Sequence, residues 1–198
     1  KTAEEYSKMS SNEKYKWIEY HKWDIRAAWY QQLVGDLVVM VRARYGFLGA
    51  YNTNLGVTPF ERFFLGGDGM SSYSNFDGRE IIGFRGYQNE TLTPNYYYDD
   101  DTGGTIYNKN TVELRYPLSL NPSATIYALL FLETGNSWDK FKNFNPFNLY
   151  RSAGVGVRIF MPMFGLLGLD WGYGFDDVPG IPSANRSQFH FSINGSID

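Results

Sequence analysis

Hydrophobic and polar residues alternate along most of this chain. The clearest run is 37–47, where the odd positions are apolar or aromatic and the even positions include Arg42 and Arg44. A period of two would scatter these apolar side chains around a whole helix, but it places them on one face of a β-strand. Similar runs predict about eight strands; they cover 22–33, 60–65 (with weaker alternation), 111–116, 124–135, 152–159, 167–175 and 188–197.

The segments between these runs favour hairpins. Segments 33–36 and 161–165 are short and contain Gly or Pro, which tight turns require. We therefore predict an all-β fold, an antiparallel meander. Most of the runs are near the ~9–11 residues that cross a bilayer when a strand is tilted. Both a soluble β-sandwich and a transmembrane β-barrel are built from strands that alternate in this way.

Composition favours the membrane barrel over the sandwich. Aromatic residues make up 18% of the chain, with 16 Tyr, 15 Phe and 5 Trp, and there are 21 Gly. Trp23, Trp29, Tyr45 and Phe175 lie near the ends of apolar faces, as the aromatic girdles of membrane barrels do. The opposite faces carry charges that suit a wet lumen, namely Arg42, Arg44, Glu113, Arg115, Glu133, Arg158 and Asp170.

Charge and motifs exclude several functions. The net charge of −3 gives no basis for nucleic-acid binding, and the absence of Cys excludes disulfides and cysteine-ligated metal. The mean hydropathy is −0.38, and no apolar run is long enough for a membrane helix. His21 and His190 are far apart, and no phosphate loop or Gly-x-Ser-x-Gly motif occurs. We predict no cofactor, no metal and no enzyme activity, although an enzymatic barrel with catalytic residues on its strands stays an alternative.

A long loop, 74–104, interrupts the strands and contains Gly83-Phe84-Arg85-Gly86-Tyr87. Loops of this length are usually functional or disordered. The Arg85 guanidinium presents fixed donors that suit carboxylates, and Gly86 permits a sharp turn. Glu113 and Glu133 both fall on the polar faces of the strands that follow. The loop therefore either folds inward with Arg85 held by these acids, or carries Arg85 as a solvated charge.

The order of several motifs resembles the BamA family of bacterial outer-membrane assembly proteins. That family has an aromatic-x-Gly-Gly strand end followed by a hydrophobic-Arg-Gly-aromatic loop tip. The segments that carry the resemblance are 60–67, 83–87, 111–117, 131–138, 152–156 and 189–193. It covers the chain from about Tyr15 to its end.

The resemblance implies a fold and a set of site residues. The fold is the second half of a 16-stranded barrel, with the first eight strands and periplasmic repeats outside this chain. Residues 1–14 are a polar flank with no visible signal peptide, and 15–198 are barrel. Arg85 pairs with Glu113 and Glu133 inside the lumen. The closing seam lies on the last strand, with Phe189, Phe191, Ile193, Asn194 and Gly195.

The resemblance also implies a function, the insertion and folding of β-barrel proteins in the bacterial outer membrane. The expected partners are outer-membrane lipids, nascent β-barrel proteins, accessory lipoproteins and the rest of its own barrel with its periplasmic repeats. Two alternatives remain open: a two-partner-secretion pore, which shares the arginine loop, and a barrel that anchors a fused enzyme.

Overall fold

Seven long strands and two short ones form most of the computed structural model, which describes residues 3–69, 79–94 and 103–193. The strands are β1 Tyr20–Gln32, β2 Val38–Ala50, β3 Phe63–Leu65, β4 Glu80–Ile82, β5 Ile106–Asn121, β6 Ala124–Trp138, β7 Tyr150–Met161, β8 Gly165–Gly174 and β9 Arg186–Ile193. The main sheet has the order β1-β2-β5-β6-β7-β8-β9, and every neighbouring pair is antiparallel. The predicted all-β meander is therefore confirmed.

The connections of this sheet differ in length at the two ends of the strands. Segments 33–37, 122–123 and 162–164 join strands at one end, and all three are tight turns. Segments 51–105, 139–149 and 175–185 join strands at the opposite end, and all three are longer. Short turns on one side and long loops on the other are typical of outer-membrane barrels, whose long loops are extracellular.

The two faces of the sheet have opposite chemistry. On β6, Leu130 and Leu132 are 55% and 57% exposed, whereas Phe131 and Glu133 on the other face are 2% and 1% exposed. On β2, Val41 points outward while Met40 and other even-numbered residues are buried. An apolar exposed face with charges on the enclosed face suits contact with lipid outside and a polar lumen inside.

One predicted strand lies elsewhere. The run 60–65 does not join the meander, because only Phe63–Leu65 are extended and they pair in parallel with Glu80–Ile82 in a separate sheet. All three side chains of β3 are buried, so its pattern lacks the alternation of a barrel strand. The glycines that follow, Gly66 and Gly67, have φ of +134° and +74° and end the strand.

The main sheet is open. Within the described residues, β1 and β9 form its two edges and do not pair with each other. The structure therefore shows an arc of barrel wall with seven strands, and each edge strand presents backbone groups along its outer side.

The described parts of the long connection between β2 and β5 pack against the inner face of this sheet. Their apolar residues form one core with the inner sides of β2 and β5 and with the 175–185 connection. That core contains Leu48, Phe63, Leu65, Ile82, Phe84, Tyr87, Leu92, Tyr107, Val178 and Ala184. The sheet and its inserted loop therefore share a single hydrophobic core.

Short helices precede the first strand. They are α1 Ala3–Ser7 and α2 Ser11–Lys14, and a 3₁₀ turn, Phe141–Asn143, lies in the 139–149 connection. The Asn52 amide donates a hydrogen bond to the Tyr6 hydroxyl at 3.2 Å, which joins α1 to the start of the long connection. Among residues 3–69, 79–94 and 103–193, no helix is long and apolar enough to pass through a membrane.

Candidate functional site

The loop tip, Gly83–Tyr87, is held as a compact turn directly after β4. The Phe84 N–H donates to the Gly67 carbonyl at 2.8 Å, which ties the tip to the end of β3. Phe84 and Tyr87 are fully buried, and their rings meet edge to face with centroids 5.4 Å apart. Gly86 between them has φ of +86°, a conformation that favours glycine. The two aromatic rings therefore fix the tip on either side of Arg85.

The Arg85 guanidinium lies among carboxylates of three barrel strands. Its Nη2 is 2.7 Å from both Glu113 Oε1 and Glu133 Oε1, and its Nε is 3.0 Å from the same Glu133 oxygen. Its Nη1 is 3.4 Å from Asp170 Oδ1. The Arg85 backbone N–H also donates to Glu133 Oε2 at 2.8 Å, so Glu133 holds both the main chain and the side chain of the tip.

Strand register explains why these acids meet. Glu113 on β5 lies opposite Phe131 on β6, and Glu133 lies opposite Thr111, so both carboxylates are on the inner face two residues apart in register. Asp170 is on the inner face of β8, at a sequence separation of 85 residues from Arg85. The acids are therefore adjacent only because the strands are paired in this order.

Further cations surround the three acids. Lys109 Nζ is 3.1 Å from Glu133, Arg115 Nη2 is 2.6 Å from Glu113, and Arg158 Nη2 is 2.8 Å from Asp170. We call the described set Arg85, Lys109, Glu113, Arg115, Glu133, Arg158 and Asp170 the tip cluster. Sequence reasoning placed Arg115, Arg158 and Asp170 on the lumen side without linking them to Arg85, and it missed Lys109, which shares that side.

An aromatic ring completes the environment of Arg85. The guanidinium carbon is 3.6 Å from the centroid of the Phe131 ring, which is close enough for a cation–π contact. Phe131 is 2% exposed. Because a planar guanidinium can stack on a ring while its edge donates to carboxylates, Arg85 suits this position and lysine would not.

The ionisation of the tip follows from this arrangement. Burial by itself would lower the pKa of Arg85, but the negative charges of Glu133, Glu113 and Asp170 outweigh it and raise that pKa above its ordinary value. Arg85 therefore stays charged. Burial raises the pKa of Tyr87 to about 12, and its hydroxyl donates to the Arg151 carbonyl at 3.0 Å. Tyr87 is therefore a neutral hydrogen-bond donor to the end of β7.

The tip rests against a glycine-lined part of the sheet. A Cβ added to Gly172 on β8 would lie 2.7 Å from the Gly86 nitrogen, so the two backbones are in direct contact. On β9, His190 is 5% exposed, and its Nε2 accepts a hydrogen bond from the Gly86 N–H at 2.8 Å. The loop tip therefore contacts the last two described strands as well as β5 and β6.

A second ionic cluster holds the loop near β4. The Glu80 carboxylate is 2.6 Å from Lys22 Nζ, 3.6 Å from Arg26 Nη2 and 3.9 Å from Arg44 Nη2. We call the described set Lys22, Asp24, Arg26, Arg44, Glu61 and Glu80 the neck cluster. Its cations lie on β1 and β2, whereas the strand residues of the tip cluster lie on β5, β6, β7 and β8. Sequence reasoning missed Glu80.

The predicted seam residues lie on β9 as far as the structure describes them. Phe189, Phe191 and Ile193 point outward and are 74%, 46% and 46% exposed. Asn194 and Gly195 lie outside the described residues, as do 70–78 and 95–102 of the loop region. Within the described ranges, no group of three or more His, Cys, Asp or Glu residues could hold a metal ion.

The fold and site together define a class of protein. An apolar outer face, short turns at one end of the strands, long loops at the other and an interior plugged by a loop are features of transmembrane β-barrels. The family comparison gives the particular group: the model of the Omp85 superfamily domain matches residues 7–197. The chain belongs to this superfamily, and it is an outer-membrane β-barrel protein.

A solved structure supports the same fold. The crystal structure of BamA from Haemophilus ducreyi lacking POTRA domains 1–3 is similar, with a TM-score of 0.64 and 17% sequence identity. The match covers 87% of this chain and 34% of that one, so this chain spans about a third of the BamA structure's length. No curated protein matches the sequence.

Proposed function

We propose that this chain is part of a bacterial outer-membrane protein that inserts and folds other β-barrel proteins, without catalysing a chemical reaction. Its partners would be outer-membrane lipids, nascent β-barrel substrates, accessory lipoproteins and the rest of its own barrel with its periplasmic repeats. Membership of the Omp85 superfamily and the likeness in fold to BamA support this proposal.

The observation that carries the proposal is the burial of the Arg85 guanidinium among three carboxylates. The guanidinium is 1% exposed and contacts acids of β5, β6 and β8, so it fastens the inserted loop to the inner wall. We infer that the loop keeps this wall in a defined shape while its edge is in use.

The edge strand supplies the second part of the mechanism. Among the described residues, β9 pairs with β8 along one side and has no strand along the other. Unpaired N–H and C=O groups of such an edge can template the strand of a substrate protein by β-augmentation. The outward Phe189 and Phe191 would then face lipid beside the incoming strand.

The test replaces Arg85 in the full-length protein. Arg85→Ala removes all guanidinium bonds, and Arg85→Lys keeps a charge without the planar fork. Leaving Glu133 and its neighbours without this partner should cost about 3–5 kcal/mol and release the loop. We expect both variants, at matched expression, to reduce outer-membrane β-barrel protein levels and to increase sensitivity to large antibiotics in cells depleted of the wild-type protein.

A matched control lies on the same loop. Arg79 is 3.4 Å from Glu90 and its side chain is 27% exposed, so Arg79→Lys should leave growth and barrel levels close to wild type. Full activity of Arg85→Ala would contradict the proposal. Normal barrel levels with loss of secretion of a single exported protein would instead favour the translocation pore.

A further inference from the structure

The last described strand is tied to the loop tip by a bond that is separate from the arginine cluster. We propose that His190 is a positioning residue that latches β9 to the tip through the Gly86 N–H. The inference rests on the proposed function only in giving β9 the role of the working edge. The latch itself concerns the position of the tip on β9 and can be tested without any assembly assay.

The geometry of the bond supports this assignment. The Gly86 nitrogen is 2.8 Å from His190 Nε2, and the imidazole is 5% exposed, so water does not replace it readily. The side-chain bonds of Arg85 reach β5, β6 and β8. The bond of the next residue reaches β9. Arg85 therefore attaches the loop to β5, β6 and β8, and Gly86 attaches it to the edge strand β9.

The backbone of Gly86 is set so that its N–H points to β9. Its φ of +86° is in the left-handed region, and a Cβ there would lie 2.8 Å from the Gly174 nitrogen on β8. A residue with a side chain could not come this close to β8. Because Gly86 approaches β8 so closely, its backbone N–H comes within hydrogen-bond distance of His190 on the neighbouring strand β9.

The chemistry of the bond requires a neutral histidine. A backbone N–H can only donate, so Nε2 must be unprotonated and Nδ1 must carry the proton. His190 lies opposite Asp170 in the β8–β9 register. The charged groups that face it are Glu133 on β6, Asp170 on β8, and Asp68 and Arg85 of the inserted loop.

Protonation would therefore open the latch. An imidazolium has an N–H at Nε2, which would face the N–H of Gly86 and could not accept its bond. Acid should release the tip from β9 while the Arg85–Glu133 contacts remain. His190→Gln removes this sensitivity, because the glutamine amide oxygen accepts a hydrogen bond at any pH.

The test measures hydrogen–deuterium exchange of the tip amides in the full-length protein reconstituted in lipid vesicles. The peptide containing Gly83–Tyr87 is compared in wild type, His190→Ala and His190→Gln. We expect exchange at Gly86 to be on the order of tenfold faster in His190→Ala and close to wild type in His190→Gln. Should His190→Ala fail to insert, His190→Leu replaces it, since it fills the space without an acceptor.

Two results would overturn the latch. One is slow exchange at Gly86 in the Ala or Leu variant, and the other is equally fast exchange in His190→Gln. The dependence of exchange on pH distinguishes the hydrogen bond from a packing role, because packing by His190 would not change with pH. The ratio of wild-type to His190→Gln exchange should rise from about pH 7 to about pH 4, and a flat ratio would overturn the role of the neutral ring. A latch seen alongside normal growth of Arg85→Ala would leave the latch standing and refute the proposed function.

Discussion

The tip cluster and the neck cluster hold the same loop to the same wall, but they differ in exposure. At the tip, the side chains of Arg85 and Glu133 are 1% and 0% exposed. At the neck, those of Glu80 and Arg26 are 28% and 59% exposed. Their shortest ion pairs are similar, at 2.6 Å for Glu113–Arg115 and 2.6 Å for Lys22–Glu80. Distance alone therefore does not separate the two.

Solvent decides what each cluster contributes. Exposed ion pairs are worth little, because water screens them and two long side chains must be ordered. A buried pair costs much more to break, because the remaining partner is left as an unpaired charge in a poor solvent. The tip should therefore control where the loop lies, and the neck should make a smaller, salt-dependent contribution.

Removing the Glu133 charge should have the largest effect. In Glu133→Gln, Arg85 and Lys109 lose the carboxylate they share, and a buried cation is left poorly paired. We expect the free energy of unfolding, measured by urea titration in detergent micelles, to fall by about 3–5 kcal/mol. Glu113→Gln is the matched control and should cost less, because Arg115 beside it is 24% exposed and can be hydrated. Equal losses would contradict the ranking.

Adding a side chain at Gly172, beneath the loop tip, should have the second largest effect on stability. In Gly172→Ala, the new Cβ would lie 2.7 Å from the Gly86 nitrogen, so the tip must move away from β8. We expect a loss of about 1–3 kcal/mol in unfolding free energy and faster hydrogen exchange across Gly83–Tyr87. Tyr173→Phe changes the adjacent, outward-facing position and should leave the tip amides as they are. Unchanged exchange in Gly172→Ala would mean that the tip does not rest on this glycine.

Removing the Glu80 charge should have a smaller effect. Glu80→Gln weakens the contacts to Lys22, Arg26 and Arg44. Arg26 is 59% exposed and water can solvate it, while Lys22 keeps Glu61 at 2.8 Å and the buried Arg44 keeps Asp24 at 3.6 Å. We expect a loss of about 1 kcal/mol or less in the same urea titration. Among the described residues, Glu61→Gln removes one ion pair, to Lys22 at 2.8 Å, and should be closer still to wild type. A loss as large as that of Glu133→Gln would show that exposure does not distinguish the clusters.

The dependence of stability on salt should differ between the two clusters, and this is the smallest of the expected effects. At about 1 M salt the Debye length is about 3 Å, so exposed pairs are largely screened. The difference in unfolding free energy between wild type and Glu80→Gln should shrink towards zero as salt rises from about 0.05 M. The difference for Glu133→Gln should persist, since ions do not enter the buried site. A parallel decline of both would refute the comparison.

Local pattern was sufficient to locate the barrel strands. All seven strands of the meander overlap predicted runs, because alternation is written into each strand separately. The same pattern put Glu113 and Glu133 on the lumen side, and the structure has both carboxylates 2.7 Å from Arg85. The run 60–65 contains a strand, Phe63–Leu65, but its predicted place in the meander was wrong. A local pattern of apolar residues shows that a segment is extended, whereas its pairing partner depends on the inserted loop.

The sequence by itself determined which residues face lipid, which face the lumen and where the chain turns, since these follow from the two-residue period and from turn chemistry. Only the tertiary structure decided which lumen residues meet the loop. Asp170 and His190 come to the tip from 85 and 104 residues away. Their place depends on the register of β8 and β9 and on the depth to which the loop descends. Contacts between residues so far apart in the sequence depend on how whole strands pair, which no local pattern encodes.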